Sequence, residues 1–293
     1  MALPSLSLAA EPQQAVVISP VADVWREPTA DLSKLTDDKR ETQVLFGEKV
    51  LIHDSSGPWI RIEAVEQPTF RQHNKWEGYP GWVFRSAVSR APYTSSWQLS
   101  DKRWEFFDKN GGELPLGAKI SVSMRSAPLP NLAATRVEIG VDILKTANLL
   151  IDVPYVWGGL TPGNPPPSPT ASPLEGGEGI KYGVDCSGLV HLSYRVNGMT
   201  IPRDAHEQWM KAKPIKRAAL QPADLIFSAK ADNPKTITHV ALYAGDGLII
   251  EAPQTGMAVR KISFKEKYGK ALDEVESGDR VGERIVYFGS YLQ

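Results

Sequence analysis

The feature that most limits how this chain can fold is the stretch Val184-Asp185-Cys186-Ser187-Gly188-Leu189-Val190, which holds the one cysteine among 293 residues. A lone thiol forms no internal disulfide, so the fold must rest on packed cores, and this usage fits a reducing compartment. Asp185 is a good helix N-cap, and Leu189, Val190, Leu192 and Val196 have the apolar spacing of a helix face. Asn197-Gly198 then supplies a C-terminal stop. The pattern predicts a helix with Cys186 in its first position, where unpaired backbone N–H groups and the positive end of the helix dipole favour a thiolate. Two readings of the cysteine follow: a nucleophile, or a buried structural thiol, the commoner fate of a free cysteine.

A chain of this length has room for about two domains, each with its own core. A hydrophobic share of 42% and a charged share of 23% are those of an ordinary soluble globular protein. Lysine and arginine number 33 against 34 acidic residues, with no basic stripe, so no nucleic-acid partner is expected. No apolar run approaches the roughly 18 residues of a membrane-spanning helix. Residues 1–10 are apolar but lack a basic n-region and are short for a signal sequence; the remnant of a removed signal is the other reading. One cysteine and scattered histidines give no metal-ligand spacing, and no metal or other cofactor is expected.

Residues 15–93 read as an all-β module. Short β-rich pieces at 15–18, 43–46, 49–52, 59–62 and 81–84 are separated by turn signals such as Gly47-Glu48 and Ser55-Ser56-Gly57-Pro58. Such spacing suggests a small barrel. Residues 94–130 read as an ordered connector, with Trp97, Trp104, Phe106 and Phe107 as anchors and a strand at 119–122. A helix is predicted from Asn131, ended by Pro154. Residues 161–179, rich in Pro, Gly and Ser, read as a long surface loop. After the cysteine helix come a short helix through Trp209, a buried strand at 225–227 and a hairpin. That hairpin pairs Thr238-His239-Val240-Ala241-Leu242-Tyr243-Ala244 with Leu248-Ile249-Ile250-Glu251-Ala252 around Gly245-Asp246-Gly247. A closing strand follows at 284–288. The fold class expected is α+β, and no internal repeat is evident.

A cysteine at a helix head followed by a histidine on a strand is the order of a cysteine-nucleophile hydrolase. Of the five histidines, His239 is the best partner because its strand is otherwise apolar. His191 lies on the cysteine helix, His206 follows a cap, and His53 and His73 lie in the β module. If the hairpin loop is the three residues 245–247, Ala241 faces Glu251, which then shares a face with His239 and can hold the imidazole. A two-residue loop would turn Glu251 away, so the register decides.

Taken together, Tyr155-Val156-Trp157-Gly158-Gly159, Asp185-Cys186-Ser187-Gly188, Pro202-Arg203-Asp204, Pro222-Ala223-Asp224-Leu225 and Thr238-His239-Val240-Ala241 resemble the NlpC-type cell-wall peptidases. The resemblance runs from residue 131 to 293 and implies a papain-like domain of helices packed on an antiparallel sheet. The pair Gly57-Pro58-Trp59-Ile60 and Gly78-Tyr79-Pro80-Gly81-Trp82-Val83 resembles the bacterial SH3-like module of the subgroup that cleaves γ-D-glutamyl–diamino acid bonds in peptidoglycan stem peptides. It implies Cys186 as nucleophile, His239 as base and Glu251 as orienting residue, where the family usually has histidine or another neutral polar residue. It also implies substrate roles for Tyr155, whose hydroxyl would lie near the oxyanion, and for Trp157, Asp185, Ser187, Arg203 and Asp204. In the subgroup that requires a free N-terminal L-alanine, Tyr79 and an acidic residue, taken here as Glu41, would close the site. The insertion at 161–179 is unusual for the family and would cover or narrow the cleft.

Peptidoglycan-derived peptides are then the expected partners. A binding-only protein and an acyltransferase on the same fold remain alternatives. A free-amine requirement suits recycling in the bacterial cytoplasm, whereas a trimmed signal would place the enzyme in the periplasm or outside. Diaminopimelate and lysine at the leaving side, and the oligomeric state, stay open.

Overall fold

The computed structural model describes residues 11–70, 74–90, 97–101, 104–106, 113–121, 135–164 and 181–292. Its N-terminal part is built from β1 (Gln13–Val17), β2 (Val21–Trp25), β3 (Arg40–Leu45), β4 (Lys49–Ser56), β5 (Trp59–Thr69), β6 (Glu77–Phe84) and β7 (Val88–Ser89). They form one antiparallel sheet in the order β3-β2-β6-β5-β4-β1-β7. Along β5, Ile60, Ile62 and Ala64 point inward while Arg61 and Val65 are exposed, the alternation of a half-buried strand. Val44 of β3 and Ala15 of β1 lie near opposite edges of the sheet yet share one core with Ile62, so the sheet curls around it. The five pieces expected from sequence fall on β1, β3, β4, β5 and β6. β2 was not expected: Val21-Ala22-Asp23-Val24-Trp25 is buried along its whole length, which removes the alternation that announces a strand.

Two small ladders follow. β8 (Trp97–Leu99) pairs with β11 (Lys119–Ser121), and β9 (Trp104–Phe106) pairs with β10 (Glu113–Pro115). Most of the rest of the expected connector, and of the 161–179 insertion, lies outside the described residues, as does His73.

The C-terminal part has α1 (Arg136–Asn148), α2 (Cys186–Val196), α3 (Ala205–Lys211), β12 (Lys213–Pro214), β13 (Leu225–Lys230), β14 (Asn233–Gly245), β15 (Leu248–Glu251), β16 (Arg260–Ser263), α4 (Phe264–Tyr268), β17 (Arg280–Val281) and β18 (Arg284–Ser290). The helix expected from Asn131 begins at Arg136, because Thr135 and Glu138 close a capping box there; residues 131–134 lie outside the described residues. It stops at Asn148, short of the expected limit at Pro154. α2 starts at Cys186, with the Asp185 side chain accepting from the Gly188 N–H, and it is buried from Cys186 to Arg195. The antiparallel sheet runs β12-β18-β13-β14-β15-β16, with β17 beside β18.

One face of this sheet packs Phe227, Val240, Leu242 and Ile250 against α1 and α2, and Val21, Leu45 and Leu116 from the N-terminal side join the same core. The other face carries Ile226, Ala241, Ile249, Val286 and Phe288 and is covered by Phe264 of α4.

The β14–β15 hairpin differs from its expected form. The turn is the two residues Asp246-Gly247, with Gly245 paired to Leu248. Positive φ at Gly245, Asp246 and Gly247 (88°, 50° and 72°) permits so tight a turn. A bulge at Ala244 adds one residue back, so Tyr243 pairs with Ile249 and Leu242 with Ile250. The inward and outward faces are those of the three-residue loop, and Glu251 stays on the face of His239.

Candidate active site

Cys186 opens α2 and lines a cleft of about 450 Å³ together with Tyr155, Trp157, Asp185, Ser187 and Asp204. The N-terminal sheet closes part of the cleft with Arg26, Arg40, Glu41 and Tyr79, and β14 contributes residues 236–238. Cys186 is only 9% exposed. Burial, reinforced by the neighbouring Asp185 charge, pushes its thiol up to about 12, against the pull of the Val240 N–H, Arg203 and the Ser187 N–H. The thiolate expected from the helix dipole is therefore not the resting state: an end-of-helix charge is worth about 0.3–2 kcal/mol, less than the cost of drying a thiolate.

The turn before the cysteine is braced from behind. Asp185 accepts the Gly188 N–H through Oδ1 (2.6 Å) and the Gly158 N–H through Oδ2 (2.9 Å). Arg203 grips both oxygens, Nη1 to Oδ1 at 3.0 Å and Nη2 to Oδ2 at 2.9 Å, and also donates to Ser187 Oγ and the Gly159 carbonyl. Arg203 is fully buried behind the cleft and does not line it. Losing either partner of such a buried pair strands a charge, at about 3–5 kcal/mol.

His239 stands on β14, which packs against α2; the next N–H along, that of Val240, lies against the Cys186 sulfur. A register shift at Thr238, just before His239, re-aims the strand here. His239 Nε2 meets Glu251 Oε2 at 2.7 Å. Burial lowers the imidazole's pKa, while Glu251 raises it. Burial also disfavours charge on Glu251, yet His239 and Lys267 hold that carboxyl down to about 2. With the carboxylate ionised, Nε2 carries the proton and Nδ1 is left with its lone pair for the thiol.

Across the cleft the Tyr79 hydroxyl donates to Asp204 Oδ2 at 3.0 Å, and Glu41 Oε2 stands 3.4 Å from that hydroxyl. Glu41 also accepts from Arg26 Nε at 2.6 Å. Of the other described histidines, His206 alone lines the cleft. His191 Nδ1 donates to the Ile201 carbonyl, His53 pairs with Glu63 in the N-terminal sheet, and His206 accepts the Ile237 N–H at the cleft wall.

Sequence reasoning missed Arg260 and Lys267, which also reach Glu251. Arg260 faces Glu251 across the β15–β16 ladder, and Lys267 sits on α4, whose cap Ser263 accepts the Glu266 N–H. That Ser-x-x-Glu signature was the available signal. Among the described residues, no helix is long and apolar enough to cross a membrane.

Residues 152–273 match the NlpC/P60 family. The γ-D-glutamyl-L-lysine dipeptidyl-peptidase of Bacillus subtilis (strain 168) is 26% identical over 298 residues, covering 85% of this chain and 93% of that one. Its namesake from Bacillus cereus is 29% identical over 76% of this chain and 70% of its own. The crystal structure of an NlpC/P60 family protein from Bacillus cereus superposes with a TM-score of 0.68 at 22% identity, over 96% of this chain and all of that one. With the cysteine at the head of a buried helix and the histidine on the sheet that helix packs against, residues 152–273 form an NlpC/P60 domain, and the chain is a cysteine peptidase.

Proposed function

We propose that the protein hydrolyses the γ-D-glutamyl–diamino acid amide bond of peptidoglycan stem peptides whose N-terminal L-alanine is free. Cys186 is the nucleophile, His239 the general base and acid, and Glu251 the residue that orients the imidazole. The observation that carries this reading is one cleft that holds both Cys186 and the Tyr79–Asp204–Glu41 cluster. The first supplies a reactive sulfur, and the second a pair of carboxylates suited to an ammonium group.

The resting pair is uncharged, so the thiol proton passes to His239 Nδ1 as sulfur adds to the γ-carbonyl carbon. The tetrahedral oxyanion faces the Cys186 N–H, which has no intrahelical acceptor, and the Tyr155 hydroxyl, which burial keeps protonated. The imidazolium then gives its proton to the departing amine as the C–N bond breaks, leaving a thioester. Water, deprotonated by His239, adds to the thioester and the C–S bond breaks, which restores the thiol. A free-amine substrate suits recycling of small wall peptides, so the bacterial cytoplasm is the compartment this reading favours.

Mass spectrometry of digests of L-Ala-γ-D-Glu-diamino acid peptides tests the proposal. Wild type should release the L-Ala-D-Glu dipeptide, Cys186→Ala should release none, and acetylating the alanine amine should suppress cleavage. Turnover by Cys186→Ala would remove the nucleophile, and equal rates on acetylated and free peptides would remove the amine requirement.

A further inference from the structure

Glu251 is fully buried, yet donors from three elements converge on it. Oε2 receives His239 Nε2 from β14 at 2.7 Å and Lys267 Nζ from α4 at 2.8 Å. Oε1 receives Arg260 from β16 through Nε at 3.0 Å and Nη2 at 2.8 Å. A carboxylate held on both oxygens cannot rotate away from the imidazole. It is also no longer a bare anion, because two cations stand against its single charge.

We infer that Arg260 and Lys267 are positioning residues of the catalytic centre: they fix Glu251 and offset its charge, so that His239 is held in place without being drawn into a resting imidazolium. The inference rests on the assignment of Cys186, His239 and Glu251 made above. A buried carboxylate alone beside a histidine would favour the imidazolium, and a histidine already protonated cannot take the thiol proton. Glutamate needs this offset in a way that a neutral orienting side chain would not.

The other groups facing the pair act in known senses. Asp185, the N-cap of α2, sets its charge beside Cys186; from β18 comes Arg284, whose Nη1 donates to Thr238 at 2.9 Å. α4 adds the Tyr268 hydroxyl, which burial keeps neutral, and β13 brings the neutral Ser228 opposite His239. α3 brings His206, which accepts the Ile237 N–H. Lys267 and Arg284 both oppose protonation of His239, whereas Glu251 favours it.

Two pH profiles test the inference on the full chain: kcat/KM for the tripeptide, and the rate at which iodoacetamide alkylates Cys186, read by mass spectrometry. The first follows the singly protonated Cys186–His239 pair and is bell-shaped, whereas alkylation follows the thiolate and rises with pH to a plateau, its midpoint moving with the limbs of the first. Removing a neighbouring cation makes both proton losses harder, so Lys267→Met should move both limbs to higher pH by about half a unit or more. Lys267→Arg should return them to the wild-type positions. Arg260→Met is the parallel variant, serving alone should Lys267→Met fail to give a wild-type melting curve. Limbs that stay in place, with or without loss of amplitude, would mean that the cations only stabilise the fold and would overturn the inference. Turnover by Cys186→Ala would instead strike at the catalytic assignment, whatever the Lys267 profiles show.

Discussion

Asp204 and Glu41 meet at the Tyr79 hydroxyl, and two carboxylates at such range repel each other unless something positive comes between them or nearby. Arg26 does this for Glu41 and Arg203, whose Nη1 stands 4.0 Å from Asp204 Oδ1, for Asp204; a substrate ammonium would add to both. Asp204→Asn keeps an acceptor for Tyr79 but removes one charge. A hydrogen bond to a charged group contributes about 1.5–3 kcal/mol, so KM for free-amine peptides should rise about 10- to 100-fold with kcat little changed. Steady-state kinetics on free and acetylated peptides would check this, since the acetylated peptide should show no matching loss. The residues named from sequence for this cleft include Tyr79, Glu41, Tyr155, Trp157, Asp185, Cys186, Ser187 and Asp204, and all of them line it. The ionisation of Cys186 was not legible. The helix dipole can be read from local sequence, whereas the burial that outweighs it comes from the sheet packed on α2, which only the fold brings close.

At the scale of elements, the head of α2 tolerates no side chain at Gly188. A Cβ there would lie 2.3 Å from the Gly159 carbonyl oxygen and 3.0 Å from Asp185 Oδ1. Gly188→Ala must push the helix off the Gly158-Gly159 turn, at about 1–3 kcal/mol by the usual cost of overpacking. Because Cys186 moves with it, peptide turnover should fall far more, by about 100-fold, as expected when reacting atoms shift by an ångström. Comparing melting curves with kcat for this variant separates the two effects. α2 and the hairpin were legible because a cap, a stop and an apolar face are local signals. β16 and α4 are short and poor in apolar residues, so neither stands out from a loop. The hairpin is instructive in a different way: its predicted loop was one residue too long, and a bulge that periodicity cannot reveal restored the parity.

At the scale of the molecule, the two halves are joined by buried polar contacts as well as a shared core. Gln43 donates to Asp23 and the Lys181 carbonyl, each at 2.9 Å, and accepts the Leu160 N–H at 2.8 Å. Arg40 reaches the Trp157 carbonyl, and Arg203 donates to Thr42. Gln43→Leu leaves the Leu160 N–H and the Lys181 carbonyl without this partner, at about 1–3 kcal/mol apiece, while Asp23 keeps Arg40; the total is on the order of 2–4 kcal/mol after partial relaxation. Calorimetry should show wild type melting in a single transition and the variant melting several degrees lower, because the core that includes Val21, Leu45 and Leu116 ties the halves together. The Tyr79 wall belongs to one half and the sulfur to the other. On the function proposed above, how much peptide fits ahead of the scissile bond would be a matter of where the first half docks, whereas bond breaking would be a property of the second. A descendant of this chain could trim its substrate to a different length by shifting that wall, with every reacting atom left as it is.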